Sequence, residues 1–390
     1  MREVGAGWPG VVEVEVQLGD TALVRALSYT EVVGVPEVGD RVLLNTTALE
    51  RGLGTGGYAV VAAIPDRPAA WPTGWDADPE RPGHLVKARY TPLQTMVLGV
   101  DDPEGEHHAV LESADSIDGM PVVAADLHSA LPAVLAGARL AAERHGAAPP
   151  RVVYVMSDGA ALPLAFSRTV DALRAAGWLT ASITCGQAYG GDLEAVTVHT
   201  ALLAARHVLD ADLAVVVQGP GNLGTGTRWG FSGVAAGEAL NAAAVLGGRP
   251  VAALRVSQAD QRPRHRGLSH HSRTAYGRVL SHPADLVVPV PVPASPERTR
   301  VADDPDALGD CLALVREHVD ALVATAPHLC PVEVPVDGIL EALRAAPVRL
   351  STMGRSLEED PAAFVAAAAA GVRARDLLGH HDGASPISHA

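Results

Sequence analysis

The chain has 390 residues, 48% of them apolar, and a formal charge of −15 at pH 7. That length holds one large α/β domain and a smaller companion, and no apolar run reaches the roughly 18 residues that span a bilayer, which excludes a membrane span. Net acidity and 4% aromatics exclude nucleic acid as the main partner, because phosphate neutralisation needs a basic face and base stacking needs aromatic platforms.

Lys87 is the only lysine among 30 basic residues. A P-loop nucleotide site lacks its Gly-Lys-Ser/Thr, and pyridoxal phosphate would have Lys87 alone for its Schiff base. The first residues, MREVGAGWPG, lack the apolar stretch of a signal peptide. Three cysteines, Cys185, Cys311 and Cys330, make no disulfide framework. The expected location is the cytoplasm.

Residues 1–64 alternate in strand fashion, with Val12, Val14, Val16 and Leu18 on one side and Glu13, Glu15 and Gln17 on the other. Short runs with glycine turns predict a small antiparallel β domain, a barrel or sandwich, structural or dimerising in role; a homo-oligomer fits that reading. Four Arg against eight Asp/Glu over residues 1–64 argue against an oligonucleotide-binding barrel. Residues 65–83 carry five prolines with Trp71 and Trp75 and predict a proline-rich linker.

Residues 84–300 read as an α/β domain. Apolar strands at Pro121–Ala125, Arg151–Met156, Leu179–Thr184, Leu213–Val217, Pro250–Val256 and Asp285–Val288 alternate with helical segments. This predicts an open, mostly parallel, doubly wound Rossmann-like sheet covered on both faces. Residues 301–378 predict C-terminal helices, with Cys311 in their core, and residues 379–390 a disordered tail.

Right-handed crossovers bring every strand-to-helix loop to one edge of such a sheet, where ligands bind. The loops contribute Asp126, His128 and Ser129; Ser157 and Asp158; Cys185, Gln187, Tyr189 and Asp192; and then QGPGNLGTGTRWGFSG (218–233) and SQADQRPRHRGLSHH (257–271). In the first of these last two, Gly219, Gly221, Asn222, Gly224, Thr225, Gly226 and Thr227 predict a backbone cradle for a phosphate or carboxylate. Gly219-Pro220-Gly221-Asn222-Leu223-Gly224 also satisfies G-x-G-x-x-G. Pro220, a delayed helix and the lack of an acid after the next strand turn that reading away from NAD.

Residues 257–273 hold four arginines and one acid, an island of +3 in an acidic chain. Arg262, Arg264 and Arg266 suit bidentate contacts to an anion, although surface arginines paired with carboxylates are the plainer reading. His128, His265, His270 and His271 with the carboxylates Asp126, Asp158 and Asp260 offer ligands for a divalent metal, but no zinc spacing is present and the arginines oppose a cation. His270 or His271 with Asp158 otherwise suits proton transfer. Cys185, at a strand end, is a candidate nucleophile whose plainer role is a buried thiol.

The segments NTTALERGLGTGGY (45–58), SDGAALP (157–163), QGPGNLGTGTRWGFSG (218–233) and HRGLSHHSRTA (265–275) resemble a bacterial family known only as a domain of unknown function of about this length. The resemblance spans most of the chain and implies no activity or catalytic residue. From the residues themselves, the expectation is an enzyme, a hydrolase or group transferase, acting on a small anionic metabolite. A non-catalytic sensor of the same ligand and an NAD(P)-binding oxidoreductase are the alternatives.

Overall fold

In the computed structural model, residues 1–19, 22–67, 83, 85–291 and 305–379 are described. Most of the proline-rich segment, with Trp71 and Trp75, and the tail beyond residue 379 lie outside the described residues.

Five N-terminal strands, β1 (Glu3–Trp8), β2 (Val11–Leu18), β3 (Ala22–Tyr29), β4 (Leu43–Asn45) and β5 (Ala59–Ala63), form one sheet in the order β1-β2-β3-β5-β4. Its pairs are antiparallel except β3 with β5. The alternation along β2 does what it predicts: Val12, Val14 and Val16 are buried and meet Ala26, Ala59 and Val61. The sheet is open, with β1 and β4 at its edges, and not the expected barrel or sandwich. So small a core needs support, and the sheet docks on the larger domain. Trp8 Nε1 donates to the Ala165 carbonyl at 2.6 Å, the Arg168 guanidinium lies 4.2 Å over the Trp8 ring, and Arg168 also pairs with Glu13.

A hairpin of β6 (Leu85–Lys87) and β7 (Thr95–Val97) follows. It buries Lys87, whose Nζ donates to the carbonyls of Ala188 at 3.0 Å and Ala195 at 2.9 Å and lies 3.4 Å from Glu194. The single lysine is committed to holding loops together.

The main sheet has eight parallel strands: β8 (Pro121–Ala124), β9 (Val152–Ser157), β10 (Ala181–Thr184), β11 (Leu193–Glu194), β12 (Leu213–Gln218), β13 (Arg249–Ala252), then, after the short pair β14 (Val256–Ser257) and β15 (Gly267–Leu268), β16 (Ala284–Val290) and β17 (Leu329–Pro335). Their order is β11-β10-β9-β12-β8-β13-β16-β17. The central strands are buried on both faces, which is why they read as unbroken apolar runs. One face is covered by the helices at Val198–His207, Ala235–Val245 and Pro305–Val323, the other by those at Leu131–Arg144, Arg168–Ala175 and Pro361–Asp376.

The segment 301–378 forms the expected C-terminal helices and also joins the main sheet. It supplies β17, paired along its length with β16, and the helix Pro361–Asp376 packs closely on Leu131–Arg144. A Cβ on Gly371 would sit 1.9 Å from the Val134 carbonyl oxygen, and one on Gly137 1.9 Å from that of Ala368. Glycine at both positions lets the two backbones touch. Among the described residues no helix is long and apolar enough to cross a membrane.

Candidate functional site

The strand order sets the site. β8 lies between β12 and β13, and the helix after β8 covers the opposite face from the helix after β12. The chains leaving these strands therefore diverge and open a crevice at their carboxyl ends. Asp126 follows β8, Gln218 ends β12, and Arg255 follows β13. Gln218 is buried and its Nε2 donates to the Asp126 carbonyl at 2.8 Å. Its Oε1 has no partner.

Asp126 is the hub. Its Oδ2 lies 2.9 Å from Arg255 Nη1 and 2.9 Å from His271 Nδ1, with all three side chains under 10% exposed. Burial raises the Asp126 carboxyl, but Arg255 and His271 together outweigh it and hold the group below its ordinary value. Arg255 Nη1 also lies 2.7 Å from His271 Nδ1. That nitrogen can donate to Asp126 or accept from Arg255, not both, so the ligand environment of the other ring nitrogen selects the tautomer.

The sequence Gly267-Leu268-Ser269-His270-His271 explains the placement of the histidines. Gly267 turns the chain at φ 67°, where an L side chain is strained. Ser269 caps the short helix His270–Thr274, accepting from His271 N–H at 3.2 Å. His265 Nδ1 bonds Ser269 Oγ at 2.8 Å. The ring centroids stand 4.8 Å apart for His265 and His270, 4.5 Å for His270 and His271, and 5.1 Å for His265 and His271. One nitrogen from each ring falls within a 4.8 Å cluster. Phe231 stacks on His271 at 3.7 Å and meets His270 edge-on. Burial and neighbouring positive charge push His265 down to about 3 and His270 to about 4, so both are neutral near pH 7.

The three predicted arginine clamps separate. Arg262 is held by Asp260 two residues away, at 2.9 Å and 2.7 Å, and these bonds lower the Asp260 carboxyl. Arg266 is exposed, on the side of the Cys311 thiol, which burial pushes up to about 12 against the opposing charge of Arg266. Arg264 is exposed, makes no ion pair among the described residues, and reaches the glycine loop: its Nη2 is 3.5 Å from where a Cβ on Gly226 would stand. The two loops thus face each other through Arg264 and Phe231.

The glycine loop is a hairpin, not a cradle wound onto a helix. Ser232 Oγ donates to Asn222 Oδ1 at 2.7 Å and closes its base, Thr225 N–H donates to the Gly230 carbonyl at 2.7 Å, and Gly230 N–H donates to Thr227 Oγ1 at 3.1 Å. Gly224 bridges to Phe231, and helical structure starts only at Ser232. This separates the G-x-G-x-x-G glycines from the helix N-terminus that follows them. Gly219 is needed for packing, since a Cβ there would lie 2.5 Å from the Ala161 carbonyl oxygen. Gly221 and residues 223–229 are exposed.

The other candidates stand elsewhere. Asp158 accepts from the Gln187 N–H at 2.8 Å and packs against Gly186, fixing a turn; it has no contact with His270 or His271. His128 is enclosed between Tyr154 Oη at 3.1 Å and Ser167 Oγ at 2.7 Å, and burial pushes it down to about 4. Cys185 is buried and its thiol is pushed up to about 12, first by burial. That is the reverse of an activated nucleophile. Asp126 was expected at this edge as a candidate metal-ligating carboxylate, and the structure places it as the partner of Arg255 and His271. Arg255 and Phe231 were missed, and the one available signal was that Arg255 follows an apolar strand.

Fold and site together define a doubly wound α/β protein with a histidine–arginine centre at its topological switch point. The chain belongs to a family described as a protein of unknown function, DUF3866, whose profile matches residues 25–371. No curated protein and no solved structure matches the chain.

Proposed function

We propose that the chain is an enzyme, a hydrolase or group transferase, acting on a small metabolite that carries a phosphate or carboxylate group. One observation carries the reading: three imidazoles with a nitrogen each inside 4.8 Å lie beside Asp126, and His270 among them feels the charge of Arg264, which has no ion pair among the described residues. Structural loops have no need of three histidines crowded together at a crevice. In this reading Arg264 and the exposed amides of the glycine hairpin hold the anion. The histidine cluster activates a water or acceptor hydroxyl, whose oxygen bonds to the electrophilic phosphorus or carbon. The bond to the leaving group breaks, and the nucleophile's proton ends on that group. The hairpin between Gly219 and Ser232 supports this reading over an NAD(P)-binding oxidoreductase. Three free cysteines support the cytoplasm as the compartment.

The test combines thermal shift with turnover. Inorganic phosphate and small carboxylates should raise the melting temperature, by the equivalent of about 2.7 kcal/mol at a hundredfold excess over Kd. Arg264→Ala should abolish that shift. His270→Ala should keep it and lose turnover of p-nitrophenyl phosphate or acetate. Turnover indifferent to His270→Ala would make the chain a non-catalytic sensor. If no anion shifts the melting temperature, the reading is wrong.

A further inference from the structure

We propose that His265, His270 and His271 bind one divalent transition-metal ion of the zinc class through their three Nε2 atoms, with Asp126 orienting His271 from behind. The proposal rests on the site assigned above, though not on the reaction proposed for it.

The chemistry of each ring points to the same nitrogen. His265 uses Nδ1 toward Ser269 Oγ at 2.8 Å, and His271 uses Nδ1 toward Asp126 Oδ2 at 2.9 Å. Each keeps Nε2 for another partner. His270 Nε2 is buried and has no hydrogen-bond partner among the described residues. Leaving a buried polar nitrogen unpaired is unfavourable because it gives up its water without a replacement partner, and a metal ion removes that cost. A carboxylate behind a ligating histidine fixes its tautomer and raises its basicity. Asp126 stands in that relation to His271, and Ser269 supplies the corresponding contact for His265.

The dimensions fit with a small adjustment. A tetrahedral ion with metal–nitrogen bonds of about 2.0–2.1 Å holds its nitrogens about 3.3 Å apart. One nitrogen of each ring already lies within 4.8 Å of the others, so turns of the imidazoles bring the three Nε2 atoms together. Three imidazoles with neither thiolate nor carboxylate among them favour zinc, cobalt, nickel, copper or iron over magnesium or calcium. A fourth position would remain for water, which such an ion activates near neutral pH.

Charge is the main opposing effect. Arg255 and Arg264 both lower the proton affinity of His270, and they oppose a metal cation for the same reason. Asp126 offsets Arg255 at 2.9 Å, and a bound anion would offset Arg264. Metal and anion should therefore bind cooperatively, each raising the other's affinity by the same factor.

The experiment uses the full chain, stripped with a chelator and titrated with Zn2+ by calorimetry and with Co2+ by visible absorption. A background variant in which His380 and His381 are alanine removes adventitious binding by the tail. One equivalent of each metal should bind, with the d–d band of a nitrogen-ligated tetrahedral cobalt site, and phosphate should tighten it. Asp126→Asn should weaken binding about 10–100-fold, and His270→Ala by more, while the exposed His199→Ala should change nothing. His265→Gln is the second ligand variant should His270→Ala fail to fold by circular dichroism. The proposal is overturned if no stoichiometric metal binds, or if the folded ligand variants bind as well as the parent. Phosphate binding to the metal-free protein that Arg264→Ala abolishes would leave the functional reading standing while this proposal fails. Metal binding without any response to anions or turnover would do the reverse.

Discussion

Asp126→Asn keeps the shape of the side chain and removes the charge that Arg255 and His271 share. The pair is buried, with Arg255 and Asp126 side chains 9% and 8% exposed and Nη1 to Oδ2 at 2.9 Å. At an effective dielectric of about 20 the gross attraction at that distance is about 6 kcal/mol, much of it offset by the cost of taking both ions out of water. Removing one partner leaves the other charge buried and uncompensated, which costs about 3–5 kcal/mol. Asparagine can still accept one hydrogen bond, so a loss near 3 kcal/mol is expected. Urea unfolding followed by circular dichroism at pH 7 measures it. Since the pair is shielded from solvent, the loss should persist in 0.5 M NaCl, and Arg255→Gln added to Asp126→Asn should recover at least ~1 kcal/mol. The linkage sign is that of a depressed carboxylate. The parent has this stabilisation above the unfolded pKa of about 4 and loses it as pH falls through the lower folded value; the variant has no such acid-labile component. A loss below ~1 kcal/mol, or one that salt erases, would show an exposed pair and refute the hub.

Two further outcomes follow from the fold. His128 is half-buried, neutral and pushed down to about 4, so the stability it contributes is complete above its unfolded pKa of about 6.5 and is lost as pH falls from there toward 4, at most on the order of 3 kcal/mol in all. Urea midpoints against pH for the parent and His128→Gln check this, and an imidazole titrating near 6.5 by NMR would contradict it. Gly371→Ala forces a Cβ to 1.9 Å from the Val134 carbonyl oxygen and should cost about 3 kcal/mol or more by overpacking. Gly309→Ala, on a helix with nothing within 4 Å, should stabilise by about 0.5–1 kcal/mol. Thermal unfolding of the two variants should therefore shift in opposite directions, and equal shifts would refute the close approach of the two helices.

The central sheet was legible because strands buried on both faces must be apolar throughout, as in Leu213–Val217. The edge strand Leu329–Pro335 was not, because an edge needs no unbroken apolar run and tolerates its prolines; its burial alternates only loosely. At the site, the participating residue types were legible but their partners were not. Asp158 was paired with His270 because both belong to the same sheet edge. The strand order puts two strands, β12 and β8, between β9 and β13, a separation of roughly 14 Å at about 4.8 Å per strand. Asp126, on the strand adjacent to β13, is the carboxylate within reach. Strand order is a property of the whole chain, and local pattern does not contain it. Arg262 is the converse case: its acid, Asp260, stands two residues away and was visible, but the island's net charge drew more weight than the local pair.

That local pairing changes what the positive island selects. Arg255 and Arg262 are neutralised in place by Asp126 and Asp260, and Arg266 stands on the Cys311 side, which leaves Arg264 as the cation of this loop that meets the glycine hairpin, where the hairpin's own Arg228 is also exposed. Two planar guanidiniums make at most two bidentate contacts, enough for one or two phosphate or carboxylate groups. A polyanion needs a run of unpaired cations to displace its counterions, and a chain of charge −15 repels it beyond this short patch. The site's selectivity should therefore lie in the size of the anion: a ligand with one or two anionic groups reaching Arg264 and Arg228 binds, whereas longer polyphosphates and nucleic acids gain nothing from their further charges. Comparing phosphate and pyrophosphate with tripolyphosphate in the thermal-shift experiment separates these cases, and a stronger shift from tripolyphosphate than from pyrophosphate would mean that further cations come free when ligand binds.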